Sequence, residues 1–197
     1  MNISEPTIKI EGIYGLSAAL KDFQPHLVIS IADPHSDVAM QADALLHDAG
    51  IPSVRLRFHD NHYGVHSPVM VQLSMLEEAA EAVEAHAPDD GARILVHCHA
   101  GTQRSPALAI FALGCLHARS KEIDEATAAK IIDAVFTAAP HAEPNERALM
   151  IASDLLDIPG WFHAAISNRR KAAALKQRKA NAKAHPLAKK RKRAFRV

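Results

Sequence analysis

The strongest constraint on the fold is a pair of short, mostly apolar runs, Leu27–Ile31 (LVISI) and Ile94–His97 (ILVH), set among segments of helical periodicity. A strand covered on both faces reads as a continuous apolar run, and such strands belong in parallel sheets with helices on either side. Two further segments fit the same sheet. Thr7–Ile10 is a first strand, and Val54–Phe58 alternates apolar with basic residues, as a strand with one exposed face does. Helical patterns fill the intervals, at Gly15–Phe23 and at Ser36–Ala49, which Gly50 closes. Ser67-Pro68 opens another helix running to about His86, with Ser as cap and Pro at the first position. After Ser105 the pattern is wholly helical: Pro106–Arg119, Ile123–Ala138, Pro144–Leu156 and Gly160 onward. The prediction is an α/β fold with a short, mainly parallel central sheet flanked by helices and a helical C-terminal half.

Charge divides the chain in two. The net value over 197 residues is +1. Residues 1–157 hold all 22 acidic side chains and 10 of the 23 Lys and Arg, a net of −12, whereas residues 158–197 hold 13 basic and no acidic residues. We therefore expect a folded domain over 1–157 and a basic tail, helical or disordered, over 158–197. From Asn168 the tail is mostly Ala, Lys and Arg without a core-facing stripe. With 48% apolar residues, wholesale disorder is excluded. Two cysteines, Cys98 and Cys115, make no disulfide framework, and no apolar run reaches the ~18 residues of a membrane span. The N-terminus lacks the pattern of a secretory leader, so a soluble, cytoplasmic protein with reduced thiols is expected.

The chemistry concentrates in Val96-His97-Cys98-His99-Ala100-Gly101-Thr102-Gln103-Arg104-Ser105-Pro106, between an expected strand and an expected helix. A loop in that position can turn successive backbone N–H groups toward one point above a helix N-terminus, forming an anion nest. Gly101 permits close approach or a positive φ. Ser105 is the expected helix cap and Pro106 the first helical residue. A guanidinium at Arg104 suits two oxygens of a phosphate, and together these groups favour the thiolate of Cys98.

His97-Cys98, five residues, Arg104-Ser105 resembles the His-Cys-x-x-Gly-x-x-Arg-Ser/Thr signature of cysteine-dependent protein tyrosine phosphatases, in particular their compact dual-specificity branch. The resemblance covers about residues 7–157 and leaves the tail without a counterpart. It implies that Cys98 is the nucleophile of a phosphocysteine intermediate. Residues His99, Ala100, Gly101, Thr102, Gln103 and Arg104 form the phosphate loop, and Ser105 assists the departing thiolate. His97 orders the loop by hydrogen bonding, and Pro144-Asn145 matches a supporting element of the family. Asp60, 38 positions before Cys98 in Phe58-His59-Asp60, matches the family's general acid. No metal or other cofactor is implied. The expected substrate is a phosphorylated protein or a small phosphomonoester.

Several readings stay open on the residues alone. Asp33, after a buried strand, competes with Asp60 for the acid's role, as do Asp37 and His59. Thirteen histidines include the cluster His59, His62 and His66, but none shows a metal-ligand spacing. His99 belongs on the rim of the loop. Cys115, 17 positions after Cys98 along a helix, is expected to pack in the core. The loop holds no lysine, which argues against a highly charged inositide, although phosphoinositide, inositol phosphate and nucleic-acid phosphate remain alternative substrates. Residues 169–197, with the run Lys189-Lys190-Arg191-Lys192-Arg193, suit a polyanion, nucleic acid, an acidic membrane surface or a second copy of the chain.

Overall fold

A computed structural model describes residues 5–60, 69–158 and 160–184. Four strands form one all-parallel sheet in the order β1-β4-β2-β3: β1 Thr7–Gly12, β2 Leu27–Ala32, β3 Ser53–Arg57 and β4 Arg93–Cys98. The two mostly apolar runs are its centre, β2 and β4, and every β2 residue is buried. At the edge, β3 buries Val54 and Leu56 and exposes Arg55, whose partner Asp43 also holds Arg57 at 2.5 Å.

Helices cover both faces. On one lie α1 (Ile13–Phe23) and α2 (Asp37–Ala49), which bury Leu16, Leu20, Ala42 and Leu46 against Val28 and Leu95. Ser36 caps α2 by accepting from the Ala39 N–H at 3.2 Å, and Gly50 ends it at φ 63°. On the other face lie α3 (Leu73–His86) and α4 (Arg104–Ala118), with α5 (Glu125–Ala138) and α6 (Glu146–Leu155) packed around α4. Residues Arg104–Gly114 of α4 are all buried, so this helix is the axis of the larger core.

Two helix starts differ from expectation. Helix α3 begins at Leu73; the Ser67-Pro68 pair lies outside the described residues. The preceding backbone is taken by tertiary bonds instead: His59 N–H donates to Val69 O at 2.8 Å, Val69 N–H to His59 Nδ1 at 3.0 Å, and Arg147 Nε to Val71 O at 3.0 Å. Helix α4 begins at Arg104, so Ser105 and Pro106 are its second and third residues, and Ser105 does not cap it. The Ser105 hydroxyl is instead drawn to the sulfur of Cys98.

The apolar core continues beyond Asp157. Ile158, Phe162 and Ile166 are buried in the same cluster as α4. Helix α7 (Trp161–Ala184) thus begins as a core helix, and from Arg170 to Arg178 it is exposed on all sides. No described helix is long and apolar enough to cross a membrane.

Candidate active site

In a parallel sheet all strands end on one edge, and ligands bind outside the carboxyl ends. That edge collects Gly12 of β1, Cys98 of β4, Asp33 just after β2, and Phe58-His59-Asp60 just after β3. Gly12 is paired with Cys98 across the sheet. Asp37 is the first residue of α2.

The loop from Cys98 to Arg104 is held from both sides. Ile13 N–H donates to His99 O at 3.0 Å, Glu143 N–H to Thr102 O at 2.8 Å, and Asn145 N–H to Gln103 O at 3.2 Å. With three carbonyls fixed outward, the loop amides are turned inward, and the Gly101 N–H points at Cys98 Sγ from 3.3 Å. Gly101 has φ 75°, and a Cβ there would stand 3.0 Å from the backbone of Glu11 and Gly12. Only glycine meets both demands. Gly12 has the same packing role from the other side, since its own Cβ would lie 3.0 Å from His99 O. Nothing in the sequence around Gly12 signals this.

Cys98 is buried, with Ser105 Oγ 3.2 Å from its sulfur. Arg104 is 3% exposed, and its Nη1 donates to Asp33 Oδ1 at 2.9 Å and to Phe58 O at 2.8 Å. Its Nε is buried without a hydrogen-bond partner among the described residues and lies 3.8 Å from Asp60 Oδ2, beyond hydrogen-bond range. The guanidinium is therefore steered by two carboxylates, with Asp33 the closer. Burial pushes the Asp60 carboxyl above the ordinary carboxylate range, opposed by the charge of Arg104 and the Asn145 amide, while the Asp33 charge adds to the rise. Turned so that its nitrogen faces Asp60, the Gln103 amide lies 3.0 and 3.2 Å from the two carboxylate oxygens.

Asn145 ties these parts together. Its Oδ1 accepts from Ala148 N–H at 3.0 Å and caps α6, and its Nδ2 donates to Asp60 O at 3.1 Å. The same residue thus links the loop from Cys98 to Arg104, the Asp60 segment and the α6 terminus.

His97 is fully buried on the α1–α2 face, beside Ser30 in the sheet register. Neither ring nitrogen makes a hydrogen bond of good geometry among the described residues, although the ring interacts with the Cys98 backbone at the head of the loop. Burial holds its pKa down to about 4. His99 and Ala100 are exposed on the rim. His59 is spent on Val69, whereas His62 and His66 lie outside the described residues. Cys115 is largely buried in α4, and burial pushes its thiol up to about 12. Among the described residues no group of three His, Cys, Asp or Glu is placed to hold a metal ion.

Compared as a sequence, the chain matches no family model and no curated protein. Compared as a structure, it resembles the PTP-2 phosphatase of Cydia pomonella at 19% identity and a TM-score of 0.51, over 75% of this chain and 84% of that one. It is also similar to PTPMT1, at 15% identity and a TM-score of 0.48 over 84% and 95% of the two chains. A third likeness is to the core catalytic domain of the S. cerevisiae PP-IP phosphatase SIW14, at 16% identity and a TM-score of 0.43 over 86% and 91%. The chain therefore shares the fold of the PTP-2 phosphatase, which here is a parallel sheet flanked by helices.

Proposed function

We propose that this protein is a phosphomonoester hydrolase of the protein tyrosine or dual-specificity type, working through a phosphocysteine on Cys98. The observation that carries the reading is the convergence of Cys98, Arg104 and Asp60 at the carboxyl edge of the sheet, where three carbonyls of the loop from Cys98 to Arg104 are tied outward. The Cys98 thiolate attacks phosphorus in line, the S–P bond forms, and the ester P–O bond breaks. Arg104 and the inward amides hold the equatorial oxygens. Asp60, protonated, gives its proton to the departing oxygen; the resulting carboxylate then takes a proton from the water that cleaves the S–P bond. Ser105, 3.2 Å from the sulfur, stabilises the returning thiolate.

The raised Asp60 supports the acid's role, because a carboxyl kept protonated nearer neutrality is a better proton donor there. Asp33 is assigned the other task, holding Arg104 through Nη1 at 2.9 Å. The decisive test is hydrolysis of a small aryl phosphate by the wild type and by Cys98→Ser. Activity in the first and none in the second is expected, and equal rates would end the reading. A panel of phosphotyrosine, phosphoserine and phosphoinositide substrates then ranks the leaving groups.

A further inference from the structure

Helices α6 and α7 form an antiparallel hairpin. Leu156, at the far end of α6, lies with Phe162 against Gly114 of α4. From there α7 climbs back along α5 and α6. Arg169 reaches Asp133 and stacks on Phe136, 5.1 Å from its ring centre, one turn below the end of α5. Arg170 and Lys171 then come level with Pro144 and Glu146 at the start of α6. That is the end where Glu143 and Asn145 bind Thr102 and Gln103. The basic part of α7 therefore meets the body beside the candidate active site. Residues 173–184, at ~1.5 Å per residue, carry it about 18 Å further.

Between the two helices runs a groove of about 270 Å³, with Leu149 and Ile166 among its lining and Glu146, His163, Arg170 and Lys171 as its ionisable groups. We propose that this groove is a second anion subsite, which selects phosphate esters carrying at least one further phosphate group. The inference rests on the phosphatase reading above for the site beside it.

The charge distribution supports this side over the others. Asp33 and Asp60 flank Arg104, so a second phosphate approaching over them meets carboxylates. Arg57 is committed to Asp43, and Arg147 Nε to the Val71 carbonyl. Arg170 and Lys171 are exposed, face the groove together, and are opposed there by one carboxylate, Glu146. Beside a body of net −12, this rim offers a phosphate-dense substrate local attraction.

The test uses the full-length Cys98→Ser protein, with calorimetric titration of inorganic phosphate, inositol hexakisphosphate and a chain of inorganic polyphosphate. The paired substitution Arg170→Ala with Lys171→Ala is expected to weaken inositol hexakisphosphate about five- to tenfold, the scale of two exposed charge contacts. Inorganic phosphate binding, and aryl phosphate turnover with Cys98 restored, should stay within about twofold of the parent. An unchanged affinity for inositol hexakisphosphate overturns the proposal, as does an equal loss for inorganic phosphate. Arg170→Gln with Lys171→Gln repeats the test should the alanine pair fold poorly. Substituting Lys176 and Arg178 separates the sources: a loss confined to polyphosphate marks an extended substrate, and no loss marks a compact one. Because the readout is binding, a protein inert toward every phosphate ester would refute the catalytic reading while the groove is still tested.

Discussion

Asn145 offers a way to separate stability from catalysis in one side chain. Its Oδ1 caps α6 and its Nδ2 holds the Asp60 carbonyl, at 3.0 and 3.1 Å. Asn145→Ala removes both. Loss of an N-cap costs about 1 kcal/mol, and loss of a partly buried hydrogen bond about another 1 kcal/mol, so a deficit of roughly 2 kcal/mol is expected. Asn145→Asp keeps the cap, and a carboxylate at a helix N-terminus is favourable. It cannot donate, however, and it sets negative charge against the Asp60 carbonyl. Urea unfolding should therefore place Asn145→Asp within about 1 kcal/mol of the parent and Asn145→Ala below it. Turnover should reverse the order of interest: with Asp60 unanchored, Asn145→Asp should lose at least about tenfold on alkyl phosphates, whose departing oxygen needs a proton, and far less on aryl phosphates. If Asn145→Asp shows the parent's dependence on the leaving group, Asn145 does not position the acid. If Asn145→Ala unfolds at the parent's urea concentration, the capping argument fails as well.

The two carboxylates at Arg104 should separate in the same assay. Asp60→Asn is expected to lower alkyl phosphate turnover by about 10²–10⁴-fold and to remove the alkaline limb that the raised Asp60 carboxyl imposes on the pH profile. Asp33→Asn should keep both features and weaken inhibition by inorganic phosphate; a lost alkaline limb in Asp33→Asn instead would make Asp33 the acid. His97 should control acid stability. Its folded pKa of about 4 lies below the ordinary 6.5, so below pH 6.5 the unfolded chain takes up a proton that the fold refuses. Stability should then fall by up to roughly 3 kcal/mol as pH drops from 6.5 to 4 and level off below. Urea titrations of wild type and His97→Phe across that range check it, and parallel curves for the two would show that His97 is not the group responsible.

Much of the fold was legible because its elements are locally encoded. The runs of β2 and β4 are mostly apolar, which suits strands covered on both faces, and Ser36 and Gly50 mark the ends of α2 with their own side chain and φ. The loop from Cys98 to Arg104 was legible for the same reason, since its spacing is itself the constraint. The start of α3 was not. Ser67-Pro68 has the local chemistry of a helix start, but the backbone from Val69 to Val71 is bound by His59 and Arg147, which no local rule anticipates. Ser105 likewise has a cap's chemistry, but the buried sulfur of Cys98 is its partner.

By itself the sequence determined which residues are candidates for the chemistry and that the chain is acidic with a basic end. Tertiary structure decided how those residues are placed relative to one another. Asp33 and Asp60 are alike in sequence, each an aspartate following a strand; the parallel sheet brings both to Arg104 but sets one at 2.9 Å from Nη1 and the other 3.8 Å from Nε. The basic segment is uniform in charge, yet Ile158, Phe162 and Ile166 draw its first turns into the core and bring Arg170 and Lys171 beside the site. Strand and helix tendencies act over a few residues, whereas the distance between two charges far apart in the chain is set only by the packing between them.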